Sequence, residues 1–342
     1  MEHAKFVQEL REAGYSWVEV EDAFEKEFDE RKSHDTLRIN TKRLLLNKDD
    51  DTQEDDDESF EIPTRVRSKR EPAALPDYLL YEPKKKFKLS KGKSKGTALI
   101  IPDCHFPYAD QRAYDLMLKV AKDCKDLKEI VILGDYADFY AVNAHGKHPK
   151  FMHVLIDEVN AVRKELEKLS VMFPNVKKVF ISGNHEHRLE RYIFNNAPDL
   201  FGIIDTPSIL KLEELGYEHI KYGPDQRYSV MGSRLYARHE PIGGGVHSAN
   251  STVDKAGCSM VYGHVHRIQQ YRKVFIGGED HMAACVGWLG DKTHPVMGYL
   301  KNHAQWQLGF GLAHIVDNRN FFLDIKHIID YTTYHNGKLY RG

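Results

Sequence analysis

The sequence predicts an α/β fold with a largely parallel central sheet, preceded by a small all-α module. Two observations carry the prediction. From Thr97 onward, short apolar runs alternate with apolar stripes at helical spacing, the order that builds a parallel sheet. Residues 1–46 show helical spacing together with helix-boundary signals. With 342 residues, 41% of them hydrophobic, the chain can bury one large core and carry an appendage. The expected domains are a helical module over 1–46, a charged flexible linker over 47–95, and an α/β domain over 96–342.

In the first segment Ser16-Trp17-Val18-Glu19 reads as a capping box: the Ser16 side chain accepts from a first-turn amide and Glu19 reaches back. Tyr15 and Val20 occupy the positions of a hydrophobic staple, and Val20, Ala23, Phe24 and Phe28 recur at helical spacing. An earlier helix, about Ala4–Ala13, stops at Gly14; a third starts with Ser33 as its cap and runs through Arg43. Short helices with tight joints, the last carrying Thr36, Arg38, Asn40, Lys42 and Arg43, resemble a helix-turn-helix module. That resemblance implies DNA as a partner, with the third helix in a major groove. The other reading is a docking or oligomerisation unit with a solvated polar face.

The second segment changes character abruptly. Eight acidic residues lie between Asp49 and Glu58, and seven lysines between Lys84 and Lys95. Such charge blocks bury too little apolar surface to fold, so a flexible linker is expected. The Lys84–Lys95 run is a second candidate contact for DNA phosphates. Whole-chain charge decides nothing about nucleic acid, with a formal net charge of −2 and a pI near 6.8. Cys104, Cys124, Cys258 and Cys285 lack C-x-x-C spacing, which disfavours a thiolate zinc site and a disulfide framework. The first residues lack a signal-peptide core, and no stretch approaches the roughly 20 apolar residues of a membrane span. A cytoplasmic protein without a membrane partner is the expectation.

In the third segment five apolar runs each end in a polar cluster: Thr97–Ile101, Ile130–Leu133, Val179–Ser182, Leu235–Ala237 and Ser259–Tyr262. The clusters are Asp103-Cys104-His105, Gly134-Asp135, Gly183-Asn184-His185-Glu186, His239 and Gly263-His264-Val265-His266. Open α/β sheets gather their ligand sites at such strand ends. Ala113, Leu116, Met117, Val120 and Ala121 form a helical stripe after the first run; Leu155, Val159, Val162, Leu166 and Leu169 form another after the second. Past Gly263 the texture shifts to β, and Phe310–Val316 and Phe321–Ile329 flank Asp317-Asn318-Arg319-Asn320 as a hairpin. The delivered Asp, Asn and His side chains are oxygen and imidazole donors, in about the number that two neighbouring divalent cations require.

In order, spacing and placement, these pieces resemble the signature of the calcineurin-like metallophosphoesterase superfamily: Asp-x-His, Gly-Asp, Gly-Asn-His-Glu/Asp, His and Gly-His-x-His. The match spans residues 97 to about 270. The resemblance implies a four-layer α/β/β/α sandwich and two divalent metal ions, manganese first, with iron, zinc or nickel as alternatives. It places Asp103, His105 and His266 on one metal, Asn184, His239 and His264 on the other, and Asp135 on both. A hydroxide bridging the cations would then attack a phosphate ester in line. His185 is not a ligand in this scheme; it stabilises the transition state or protonates the leaving oxygen, with Glu186 orienting it or supporting the site. Gly134, Gly183 and Gly263 are expected to let the backbone turn sharply so that the next side chain faces the cations.

Neighbouring residues carry open alternatives. Asp138 either supports the metals or packs, and Arg188 either steadies a substrate phosphate or forms a structural ion pair. His145, His148, His153 and His187 read as surface or packing residues. Gly243-Gly244-Gly245 reads as a mobile loop beside the site, and Cys104 as pointing away from it by strand alternation. Ser/Thr protein phosphatases of the superfamily carry Gly-Asp-x-x-Asp-Arg, whereas this chain has Phe139 after Asp138. The layout is closer to phosphoesterases of bacteriophages and their bacterial relatives, which for a phage-encoded chain implies the host cytoplasm. The leading expectation is a phosphodiesterase or nuclease brought to DNA by residues 1–46. The alternatives are a phosphomonoesterase on nucleotides or phosphoproteins, and a DNA-binding scaffold with a relic phosphoesterase domain.

Overall fold

The amino-terminal helices α1 (Glu2–Glu12) and α2 (Trp17–Phe28) meet through a small apolar core. Val7, Val20, Phe24 and Leu37 are buried there, with Phe6, Leu10, Trp17 and Phe28 packed around them. The capping box is formed: Ser16 N donates to Glu19 Oε2 at 2.7 Å, and Glu19 N to Ser16 Oγ at 3.4 Å. The computed structural model describes residues 2–13, 16–28, 37, 95–144, 154–296 and 305–342. The expected staple residue Tyr15, the third helix apart from Leu37, the linker up to Ser94, and His145, His148 and His153 lie outside the described residues. By contact the chain divides into two units, Met1–Lys85 and Lys86–Gly342.

The second unit is mixed α/β. Its first sheet has the order β11-β10-β1-β2-β3-β4. In it β1 (Gly96–Ile101), β2 (Leu127–Ile132), β3 (Lys177–Ile181) and β4 (Tyr217–Ile220) run parallel. The hairpin of β10 (Gly309–Ile315) and β11 (Phe321–His327) adds antiparallel beside β1. The sheet is therefore mixed where a largely parallel one was expected, because the carboxyl-terminal hairpin closes its edge. The predicted turn is present: Asp317 Oδ1 accepts from Arg319 N and Asn320 N, each at 2.7 Å. The second sheet has the order β5-β6-β7-β9-β8, formed by β5 (Tyr228–Ser229), β6 (Leu235–Arg238), β7 (Ser259–Tyr262), β8 (Gln269–Val274) and β9 (Asp280–Cys285). A ribbon of β12 (Thr332–His335) and β13 (Lys338–Arg341) ends the chain.

Side-chain alternation divides the first sheet between two cores. Leu99, Ile101, Ile130, Ile132 and Phe180 pack with α3 (Gln111–Asp123) and α4 (Leu155–Met172). Ala98, Ile100, Val131, Leu133, Val179 and Ile181 pack instead with Leu235, Ala237, Val261 and Ala284 of the second sheet. Burial on both faces is why these strands read as continuous apolar runs. Helices α5 (His187–Asn196), α6 (Thr206–Leu210) and α7 (Ser248–Ala256) follow, and on the far side of the second sheet Val253 of α7 packs with Tyr262, Ala283 and Cys285. Register sets Ile101 beside Ile132 and Ile132 beside Phe180, so the loops leaving β1, β2 and β3 start at one level. In the second sheet Arg238 pairs with Tyr262, which does the same for β6 and β7.

Lys95, the last lysine of the charged run, is held by Met231 O at 3.2 Å and by the Asn318 side chain. Among the described residues no helix is long and apolar enough to cross a membrane.

Glu158, in the first turn of α4, is fully buried. Its Oε1 accepts from Ala141 N at 3.0 Å, while Oε2 has no partner among the described residues. Burial, reinforced by the Asp138 carboxylate, pushes its carboxyl up from the ordinary 4.5 to about 7. The folded state then holds this proton more tightly than the unfolded chain. Its contribution to stability is complete below about pH 4.5 and is lost as the pH rises through 7. Glu158→Gln should therefore melt higher than wild type at pH 8, by up to about 3 kcal/mol of stability, and lose that advantage at acid pH. Identical pH dependence of the two melting temperatures would refute this account.

Candidate metal centre

Every predicted site residue lies in one cluster at the ends of β1, β2, β3, β6 and β7. Asp103, just past β1, is fully buried, and its two carboxylate oxygens accept from His264 N at 3.0 and 2.9 Å. Its Oδ2 lies 3.0 Å from His266 Nε2, which in turn faces His105 Nε2 at 3.2 Å. Asp135, past β2, accepts at Oδ1 from His185 N at 2.8 Å and stands 3.4 Å from His239 Nε2. Asn184 Oδ1 sits between His239 Nε2 at 2.8 Å and His264 Nδ1 at 3.0 Å. Donor atoms of Asp103, His105, Asp135 and His266 lie within 4.8 Å of one another, as do those of Asp135, His239 and His264. Asp135 belongs to both groups. A further group of His105, Asp138 and His185 overlaps the first.

The backbone around the cluster is strained. His105, Asp135, His264 and His266 have φ of 56°, 46°, 67° and 56°, a left-handed conformation that residues other than glycine seldom adopt. Two of the three glycines play a different part from the one expected, while Gly134 makes the expected turn. Gly134 alone of the three has positive φ. A Cβ on Gly183 would lie 2.2 Å from Asp135 Oδ1, and one on Gly263 2.2 Å from Asp103 Oδ1. Those two positions are glycine because the carboxylates approach the backbone too closely for any side chain. Apart from Gly134, the site residues themselves make the turns.

Supporting contacts come from motif residues and from residues with no sequence signal. Glu186 does not orient the His185 ring; its carboxylate is occupied by backbone amides. Oε2 accepts from Asp135 N at 2.8 Å and Gly183 N at 2.7 Å, and Oε1 from Ala137 N at 2.8 Å. It thereby ties the loop after β2 to the loop after β3. Asp138 takes the supporting role: Oδ2 lies 3.0 Å from His105 Nδ1 and 3.3 Å from His185 Nδ1, and Oδ1 pairs with Arg188 at 3.2 Å. His239 Nδ1 donates to Leu133 O at 2.9 Å, which leaves Nε2 facing the cluster. Gln226 Oε1 accepts from His239 N at 2.8 Å, while its amide donates to Ser182 O. His266 stacks on Trp288 with centroids 5.0 Å apart, and Trp306 meets it edge-on at 4.3 Å. Glu186, Asp138 and Arg188 were visible beforehand as candidates; Gln226, Trp288 and Trp306 carry no motif.

Other expectations resolve simply. Cys104 points into the core beside α3 and bonds Pro102 O at 3.3 Å. His187 pairs with Glu190 and stacks near Tyr222, apart from the donor groups. Gly243 N donates to Thr252 Oγ1 at 3.1 Å, so the glycine triplet is anchored on α7 at its first residue.

The electrostatics call for positive charge. Burial opposes ionisation of Asp103, yet His266 and His239 hold it below the ordinary carboxylate value. Burial opposes it at Asp135 too, where His185 and His239 hold the carboxyl well below that value. Burial also works against protonating His239, but Asp135 raises it to about 10. His266 is pushed down by burial, and its Nδ1 has no partner among the described residues. Between the facing Nε2 atoms of His105 and His266 at most one proton fits. Protons or cations must fill these gaps, and nitrogen and oxygen donors of this kind suit divalent metals.

No protein-family model and no curated protein matches the chain. Among solved structures it is similar to the nuclease MPE of Pseudomonas putida, with 17% sequence identity and a TM-score of 0.28, over 64% of this chain and 82% of that one.

The Gly183 contact generates a test. Gly183→Ala should displace Asp135 and lower the affinity for added divalent cations at least ~10-fold, as changes behind metal ligands do, while far-UV circular dichroism stays unchanged. Wild-type affinity measured by titration calorimetry would count against the close-approach argument.

Proposed function

We propose that the protein is a dinuclear-metal-dependent phosphoesterase, and that its sheets and helices form the four-layer α/β/β/α sandwich of the calcineurin-like superfamily its motifs resemble. One observation carries the reading: Asp135 belongs to two separate groups of potential ligands, as a bridging carboxylate must. Asp103, His105 and His266 would hold one ion; Asn184, His239 and His264 would hold the other. Two such ions, manganese first among manganese, iron, zinc and nickel, would acidify a water and neutralise charge on the phosphate oxygens. The rest is done by the chain. His239 is aimed by Leu133 O, His105 by Asp138, and Asp135 by the amides that Glu186 collects. His185 stands outside both groups that contain Asp135, with Nε2 3.7 Å from Asp135 Oδ2, close enough to meet a phosphate bound at the cluster.

For the substrate we propose a DNA phosphodiester, reached in the cytoplasm. The support is the helix-turn-helix resemblance of residues 1–46 and the lysines of the Lys84–Lys95 run. Hydrolysis of monoesters on nucleotides or phosphoproteins is the competing outcome.

His185→Ala should keep full metal content and lose at least ~100-fold in kcat. Asp135→Ala should lose metal and activity together, read by mass spectrometry of the bound ions. Unchanged metal content in the Asp135 variant would remove its bridging role. With manganese present, the wild-type protein should cleave a chromogenic diester and DNA, and binding to DNA should weaken steeply with salt. Turnover of monoesters alone would reject the nuclease reading.

A further inference from the structure

Arg188 lies in the first turn of α5 (His187–Asn196), and its contacts limit what His185 can do. Arg188 Nη2 is 2.8 Å from His185 Nε2. A guanidinium only donates, so Nε2 must accept. On the other side of the ring, His185 Nδ1 is 3.0 Å from the carbonyl oxygen of Asp138, which only accepts, so Nδ1 must donate. Both neighbours dictate the same tautomer, with the proton on Nδ1 and the lone pair on Nε2. Nε2 is also the nitrogen nearest Asp135, 3.7 Å from Oδ2. In that arrangement the Nε2 lone pair of His185 is turned to Arg188.

Arg188 brings its own donors beside that ring. Its Nη1 is anchored on Asp138, 3.0 Å from the carbonyl and 3.2 Å from Oδ1. Among the described residues Nε and the second hydrogen of Nη2 have no partner, and the side chain keeps 14% exposure. A guanidinium is always charged and matches phosphoryl oxygens in a fork. A buried carboxylate, Asp138, holds it in place.

We propose that Arg188 is a catalytic residue of this site: its guanidinium is a cationic donor to a non-bridging oxygen of the substrate phosphate. His185 then works beside it as an acceptor at Nε2, oriented by Arg188 and Asp138. This rests on the phosphoesterase reading.

The test uses the full chain loaded with manganese. Arg188→Ala should lower kcat/KM on a chromogenic phosphodiester ~100-fold with metal content unchanged. Inorganic phosphate should inhibit it more weakly than wild type, and added guanidinium should restore part of the activity. Arg188→Lys, which keeps the charge and guards against loss of folding, should fall between the two. In the metal-free wild type, nitrogen-15 NMR should find His185 protonated at Nδ1. Unchanged kcat/KM and phosphate inhibition in both variants, or a proton on Nε2, would overturn the assignment of Arg188 alone. A wild type inactive on every diester and monoester would overturn the phosphoesterase reading, and this inference with it.

Discussion

Asp103 and Asp135 are carboxylates taken out of water at the ends of β1 and β2, and their neighbours are arranged around that fact. An ionised carboxylate buried without partners would cost many kcal/mol, so each must be met by donors or cations. His264 N and His185 N supply backbone hydrogen bonds; His266 and His239 bring their ring nitrogens alongside. These partners arrive from loops on both sheets. Satisfying two carboxylates therefore couples the position of every loop at this end of the unit.

The coupling explains features that look unrelated. Gly183 and Gly263 lack side chains because the carboxylate oxygens occupy the space where one would begin. His105, Asp135, His264 and His266 tolerate left-handed backbone because their bonds leave little alternative. Glu186, itself buried, is matched by three amides and holds two loops in one geometry. Its carboxyl is pushed up to about 7 by burial and by Asp135, the expected response of an acid placed beside another. Trp288 and Trp306 then flank His266 where solvent would otherwise compete for its ring.

Much of the scaffold was legible in the sequence. The apolar runs that became β1, β2, β3, β6 and β7 announce themselves because strands buried on both faces need no polar residue. The Ser16–Glu19 capping box and the Asp317–Asn320 turn were readable because both are closed by residues three apart or fewer. The supporting contacts were not. Glu186 was read as orienting His185 or supporting the site, and only the packed loops show that its bonds run back to Asp135, Ala137 and Gly183. Gln226, Trp288 and Trp306 reach the cluster only after two sheets are packed together, and no local pattern records such a meeting.

By itself, then, the sequence determined which side chains of metal-binding type would be delivered to strand ends, because strand length and alternation are set by neighbouring residues. Tertiary structure decided the rest: which nitrogen of His239 and His185 faces the cluster, which glycines are needed for space rather than for turning, and that Asp138 joins His105, His185 and Arg188. Those outcomes depend on hydrogen-bond partners brought from distant loops. A ring's orientation and a backbone's clearance do not exist until those loops have met.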